Sequence, residues 1–305
     1  MSRKNIKNIA ASIRQKLLNK AQESNRPFNE MLRYYAMERF LYRISKSPHS
    51  ENFILKGALM FTVWGQSNVR STMDIDLLGT ITNDPDNITK AFQSICDIEC
   101  ESDGLIFDKS SVTAEQITVD ADYQGIRLHL NGNLENARIR IQVDIGFSDV
   151  IIPGPEVFDY PTILDLPAPV LNCYTKETII AEKFQAMIKL DILNSRMKDF
   201  YDILVLAGHY EFNGIVLRES ILRTFRRRTT EIPAKPTVLT EEFSLNPDKI
   251  TQWKAFLRKN DISNVLENYE EVIHVLIKFL KPIIDSIVKK EDFDKVWQPV
   301  QKAWA

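Results

Sequence analysis

Hydrophobic positions recur with a helical period at both ends of the chain and with a strand period in the middle. Ile9, Ile13, Leu17 and Ala21 are spaced for one helix, with Arg14, Lys16 and Lys20 between them. Pro27 interrupts it, and Met31, Leu32, Tyr35, Phe40, Leu41 and Ile44 predict a second helix. The apolar run Phe53 to Trp64 fits a strand or a helix, and Gly65-Gln66-Ser67-Asn68 after it reads as a turn. The stretch 70–79 predicts a strand, Asp84-Pro85-Asp86 a turn and Ile88 to Ile98 a helix. Ile126, Leu128 and Leu130 alternate with polar residues, as do Ile139, Ile141, Val143 and Ile145. Asn131-Gly132-Asn133 between them supplies hairpin-turn chemistry.

Five prolines, at 153, 155, 161, 167 and 169, predict a stiff extended connector and a domain boundary. The expected division is 1–169, N-terminal helices plus a catalytic core, and 170–305, a helical domain. In the second half Thr175 is the expected N-cap of a helix reaching about Leu193. A further helix is expected over about 196–207, closed by Gly208, and another through Leu217, Ile221, Leu222 and Phe225. Thr229 to Thr240 reads as a linker. A long stripe from Val265 to Leu280 ends in a bend near Pro282.

The acids occupy telling places in this pattern. Asp74 and Asp76 alternate with Met73, Ile75 and Leu77. On a strand they share one face, roughly 6–7 Å apart, while the apolar partners enter a core. Acids on a half-buried face need counter-charge, and a divalent cation provides it. The competing reading is a strand with solvated acids. Asp144 is a third acid on the polar side of its strand. Three acids on neighbouring strands suit a two-metal site for phosphoryl or nucleotidyl transfer, with Asp144 also placed to accept a proton.

Lys183 borders the apolar face formed by Ile180, Phe184, Met187 and Ile188, and it suits either a triphosphate or plain solvent. In Asn194-Ser195-Arg196-Met197-Lys198-Asp199-Phe200-Tyr201-Asp202, Arg196 or Lys198 could meet phosphate while Asp199 and Asp202 orient Lys183. An i,i+4 ion-pair network is the plainer alternative. Arg223, Arg226, Arg227 and Arg228 could grip an RNA backbone or simply complement a helix end.

Charge adds an asymmetry that the net value of −2 conceals. Residues 1–50 carry 11 Lys and Arg against 3 acids; residues 70–170 carry 18 acids against 6 bases; residues 170–235 carry 11 bases against 8 acids. An acidic centre flanked by basic segments suits a metal site reached by a polyanion, or segments that neutralise one another. No apolar run approaches a membrane span. The three cysteines read as reduced thiols, and the expected location is the cytoplasm. No P-loop motif is present.

Taken in order, several segments resemble the AbiEii family of nucleotidyltransferase toxins, the group that includes the MenT toxins. They are Phe53-Ile54-Leu55-Lys56-Gly57-Ala58-Leu59, Arg70 through Leu77, Val143-Asp144-Ile145-Gly146-Phe147, Ala181-Glu182-Lys183-Phe184 and Ser195 through Asp202. Arg39-Phe40-Leu41-Tyr42-Arg43 and Gln252-Trp253-Lys254-Ala255-Phe256 are similar too. The resemblance implies an α+β fold: a polymerase β-like nucleotidyltransferase mixed sheet with N-terminal helices and a C-terminal helical domain. It implies Mg²⁺, a nucleoside triphosphate substrate, and a toxin opposed by a cognate antitoxin. MenT-type members modify the tRNA 3′ end and block translation. By motif match Asp74 and Asp76 would bind metal and Lys183 the nucleotide; Asp144 is a further candidate for the metal, and Lys56, Gly57, Arg70, Ser71, Thr72, Arg196 and Lys198 for the nucleotide. Asp199 or Asp202 supplies the last acid. Thr72, or less directly Ser71, lies where some members are phosphorylated by their antitoxin. Two alternatives keep the nucleotide and change the rest: modification of a protein target, or a non-catalytic nucleotide-binding module. One departure is Gly57-Ala58, where the wider superfamily places Gly-Ser.

Overall fold

The computed structural model describes residues 3–66, 70–100, 102–120, 123–263 and 265–305. Ser67 and Asn68 of the expected turn lie outside them. The chain divides into two compact units: residues 1–148 with 156–173, and residues 149–155 with 174–305. The proline-rich stretch is therefore shared. Its first part, 149–155, goes with the helical unit, and a strand at 170–173 stays with the first unit.

The first unit opens with helices α1 (Arg3–Glu23) and α2 (Phe28–Lys46). The ambiguous apolar run resolves into both options: strand β1 (Phe53–Lys56), then, past Gly57 and Ala58, the short helix α3 (Leu59–Val63). Strand β2 (Asp74–Gly79) is followed by α4 (Pro85–Cys96), with Asp84 as N-cap and Pro85 in its first turn. Next come β3 (Leu105–Asp120), β4 (Tyr123–Leu134), β5 (Ala137–Phe147), β6 (Glu156–Asp159) and β7 (Val170–Cys173). They form one mixed seven-stranded sheet in the order β3-β4-β5-β2-β1-β7-β6. The β2/β5 and β1/β7 pairs are parallel and the others antiparallel.

Strand β5 alternates cleanly, with Ile139, Ile141, Val143, Ile145 and Phe147 buried. An aromatic cluster joins α2 to α4 and the sheet. Phe40 lies 5.8 Å from Phe92 and 5.1 Å from Phe107, and Phe53 lies 5.2 Å from Phe92. Rings in such offset and edge-on contacts bury large apolar area with defined geometry.

The expected turn at Asn131-Gly132-Asn133 is not a turn. Strand β4 runs through it, and the chain reverses at Glu135-Asn136, where Glu135 adopts φ 50°. Gly132 serves a neighbour instead: a Cβ there would stand 2.9 Å from the Phe107 ring. The glycine makes room for an aromatic side chain on β3.

The second unit is mainly helical. Helix α5 (Lys176–Leu190) starts on the Thr175 cap and stops at Asp191, whose φ is 45°. The expected end at Leu193 overshoots, because residues 191–193 form a separate 3₁₀ turn and Leu193 is exposed. Helix α6 (Met197–His209) passes through Gly208 and does not end on it. Strand β8 (Phe212–Asn213), α7 (Gly214–Arg227), α8 (Glu241–Ser244), α9 (Pro247–Lys259) and α10 (Tyr269–Lys289) follow. Pro282 lies inside α10. Strands β9 (Val296–Gln298) and β10 (Ala303–Trp304) complete a small sheet with β8. Among the described residues no helix is long and apolar enough to cross a membrane.

A buried ion pair ties α2 to the start of β3. Arg43 donates to both oxygens of Asp103, at 2.7 and 3.3 Å, and to the Leu105 carbonyl at 3.1 Å. Both side chains are almost wholly buried. Removing one partner strands a charge away from water. Asp103→Ala is expected to lower unfolding free energy by about 3–5 kcal/mol in a urea titration. A loss below about 1 kcal/mol would mean that Arg43 is satisfied by the backbone alone.

Candidate active site

The polar face of the sheet is organised by strand register. Lys56 on β1 stands opposite Asp76 on β2, Asp76 opposite Asp144 on β5, Asp144 opposite Arg127 on β4, and Arg127 opposite Glu115 on β3. A second row runs Asp74, Gln142, His129, Thr113. Register partners share a face, so Asp74, Asp76 and Asp144 all emerge on the side away from Ile75, Leu77 and Val143. All three are half-buried.

Asp144 is already engaged. Arg127 donates from Nε to Oδ1 and from Nη2 to Oδ2, both at 2.8 Å, in the two-pronged geometry that guanidinium and carboxylate favour. Gln142 Nε2 adds contacts at 3.2 and 3.3 Å. Burial and nearby Arg140 hold His129, in the second row, below its ordinary pKa. Gln142 shares the polar side of its strand with Asp144, as the alternation predicts, but Arg127 escaped sequence reading. A turn placed at Gly132 pairs Arg127 with Ala137, whereas the true turn sets it opposite Asp144.

Asp76 packs against backbone. Gly57 has φ +73°, and a Cβ built on it would fall 2.0 Å from Asp76 Oδ2. Glycine is required there twice over: for the left-handed conformation and for the room. Arg70, Ser71 and Thr72 form the approach to β2. The Thr72 N–H donates to the Tyr34 hydroxyl at 2.9 Å, and Ser71 Oγ reaches Glu30 Oε1 at 3.5 Å. Together with α2, α3 and residues 160–163 they wall a cavity of about 250 Å³.

The donors Asp74, Asp76 and Asp144 are all hard oxygens of the kind Mg²⁺ prefers. Among the described residues, however, no group of three His, Cys, Asp or Glu side chains is gathered so as to hold a metal ion. Asp144 is turned onto Arg127. The arrangement fits a cation carried largely by the Asp74/Asp76 pair, with substrate phosphates filling other positions, as is usual for Mg²⁺.

The second unit holds its own charged cluster. Lys183 Nζ contacts Asp199 Oδ1 at 3.2 Å and also Asp202. Arg196 Nε lies 2.9 Å from Asp199 Oδ2. Asp199 and Asp202 are buried, Lys183 nearly so, and Lys198 is exposed. The helices α5 and α6 thus bring Lys183, Arg196, Asp199 and Asp202 together.

The expectation for Arg228 is corrected. Its guanidinium lies 3.0 Å from Asp149 and 3.2 Å from Glu182, donates to Gln185 at 3.0 Å, and is 10% exposed. It fastens residues 149–155 to the helical unit and has little surface to offer an RNA backbone. Arg223, Arg226 and Arg227 are exposed, with Arg223 paired to Glu219.

Two glycines test the reading of Asp76. Gly57→Ala meets the carboxylate, whereas Gly65, at φ +78°, has nothing within 4 Å of its Cβ position. Gly65→Ala is expected to cost about 1 kcal/mol from backbone strain alone, and Gly57→Ala at least about 2 kcal/mol more through displaced packing. Equal losses in urea denaturation would show that Gly57 and Asp76 are not in contact.

No curated protein matches the sequence significantly. Two solved structures are similar to the chain. JHP933 from Helicobacter pylori is 15% identical, covers 86% of this chain and 94% of its own, and gives a TM-score of 0.49. A second chain from H. pylori, described as a candidate nucleotidyltransferase, is 16% identical, with 85% and 96% covered and a TM-score of 0.47. The family described as "Nucleotidyl transferase AbiEii toxin, Type IV TA system" matches residues 39–275. That match takes in β1, the acid-bearing strands β2 and β5, and the Lys183 cluster, so the chain belongs to the AbiEii family of nucleotidyltransferase toxins.

Proposed function

We propose that this nucleotidyltransferase moves a nucleotidyl group from a nucleoside triphosphate to the 3′ end of an RNA, the tRNA acceptor end, and so blocks translation. The observation that carries the reading is the register that sets Asp74 and Asp76 on one face of β2, with Asp144 beside Asp76 and Gly57 beneath it. A divalent cation, Mg²⁺ in this reading, would be held by Asp74 and Asp76 and supplies charge neutralisation to the phosphates.

The remaining chemistry belongs to the chain. The RNA 3′ oxygen forms a bond to the α-phosphorus while the bond from that phosphorus to the bridging oxygen breaks, and pyrophosphate leaves. Asp144 is the candidate acceptor for the hydroxyl proton, kept oriented by Arg127. Lys56, Arg70, Ser71 and Thr72 are the candidate phosphate contacts of the first unit. Lys183, Arg196 and Lys198 are those of the second, with Asp199 and Asp202 fixing the lysine. Catalysis then rests on positioning and charge neutralisation. Arg223, Arg226 and Arg227 are candidate RNA contacts. A cognate antitoxin acts on Thr72 or Ser71 in this account, and a phosphoryl group there would stand two or three residues from the first acid. The place of action is the cytoplasm, where tRNA is charged.

The test uses purified protein, Mg²⁺, each of four labelled nucleoside triphosphates and bulk tRNA. Label is expected on tRNA and not on tRNA whose 3′ diol has been oxidised with periodate. Asp74→Asn and Asp76→Asn should each reduce transfer at least about 100-fold without lowering the melting temperature. Absence of transfer with all four nucleotides, or acid variants as active as the parent, would contradict the proposal.

A further inference from the structure

The cavity of about 250 Å³ in the first unit has features that the acid site does not use. Tyr34, Phe61 and Tyr160 give it aromatic walls, and Arg26 and Arg70 are also in its lining. Glu38 is also in the lining and is only 1% exposed. Its Oε2 accepts the Ile163 N–H at 2.7 Å. Its Oε1 has no hydrogen bond: Arg39 Nε is 3.0 Å away but out of line. Arg39 compensates its charge in a buried ion pair, and a ligand N–H would complete its hydrogen bonding.

The cavity is coupled to the acid strand. Tyr34, on its wall, takes the Thr72 N–H, and Ser71 and Thr72 themselves line it. Thr72 Oγ1 in turn reaches the Asp74 carbonyl at 3.4 Å. An occupant therefore touches the segment that leads into the acid pair.

We propose that this cavity binds a single nucleobase, its ring between the aromatic side chains, an N–H edge on Glu38 and its sugar-phosphate side toward Arg26 and Arg70. Flat rings stack on aromatic faces whatever the base, and a buried acceptor selects for a donor edge. The volume lies just below that of drug-sized sites, enough for one nucleoside and too small for two. Desolvation is the largest influence on Glu38 and, against the pull of the Ile163 N–H and Arg39, pushes its carboxyl up to about 7. Arg39 favours its charged form and Asp103 opposes it. The inference deepens the nucleotidyltransferase reading. The base belongs either to the incoming triphosphate or to the RNA terminus.

The experiment measures binding of adenosine, guanosine, cytidine and uridine, and of the four triphosphates in EDTA, by calorimetry and thermal shift on the full chain. At least one nucleoside is expected to bind. Glu38→Gln should weaken it at least about tenfold, and Thr62→Met, which fills the cavity from α3, should abolish it. If Glu38→Gln does not fold, Thr62→Met decides alone. A triphosphate that displaces the nucleoside assigns the cavity to the incoming nucleotide, and simultaneous binding assigns it to the RNA terminus. The proposal is overturned if no nucleoside or triphosphate binds, or if Thr62→Met binds as the parent does. Nucleoside binding without any transfer to RNA would sink the catalytic reading and leave this one standing.

Discussion

Parallel pairing of β2 with β5, in the register that sets Asp76 opposite Asp144, is the constraint on which the rest of the site depends. A shift by one residue would turn the acids into the core and Ile75 and Leu77 toward water. Such a shift is opposed from both sides, because Ile75, Leu77, Val143 and Ile145 are all fully or almost fully buried. The apolar face thus holds the polar face in place. Like charges so close together need compensation. Arg127 supplies it to Asp144 directly, and Lys56 stands in the same row beyond Asp76.

Two kinds of position recur around that row. Gly57 offers Asp76 a backbone surface that no other residue could offer, and Tyr34 takes the Thr72 N–H at the start of the acid strand. Each fixes a site residue through a neighbour that does no chemistry itself. The Lys183 cluster follows the same logic in the second unit. Asp199 and Asp202 are buried one helical turn apart on α6, and their joint negative charge holds a lysine from α5. A lysine so restrained loses little further rotamer freedom on meeting an anion.

Much of this was legible in the sequence where a single physical signal governed. Asp74 and Asp76 alternate with Ile75 and Leu77, so their shared face follows from strand geometry, whereas Met73, expected in the core with them, precedes β2 and is exposed. Thr175 caps α5 as its side chain predicts. The family was legible from short segments in order, and the mixed sheet with helical segments on either side in the chain follows from it. Failures came where one residue type serves two purposes. Gly132 looks like a turn residue but makes room for Phe107, and that single misreading hid the Arg127–Asp144 pair. Gly208 looks like a helix end, yet α6 continues past it. Arg228 looks like its exposed neighbours Arg226 and Arg227, and only the fold reveals Asp149 and Glu182 around it. Glu38, in a stretch of helix that is buried all round, gave no sequence signal of the cavity it borders.

The central claim is that the acid pair on β2 is where a divalent cation is held. Paramagnetic Mn²⁺ at substoichiometric level, added with a nucleoside triphosphate to isotope-labelled protein, tests it by residue-specific line broadening. The account predicts that the amide signals of Lys56, Gly57, Asp74, Ile75 and Asp76 broaden first, and that Asp76→Asn removes the effect. Broadening centred elsewhere on the first unit, or unchanged in the Asp76→Asn variant, would contradict it.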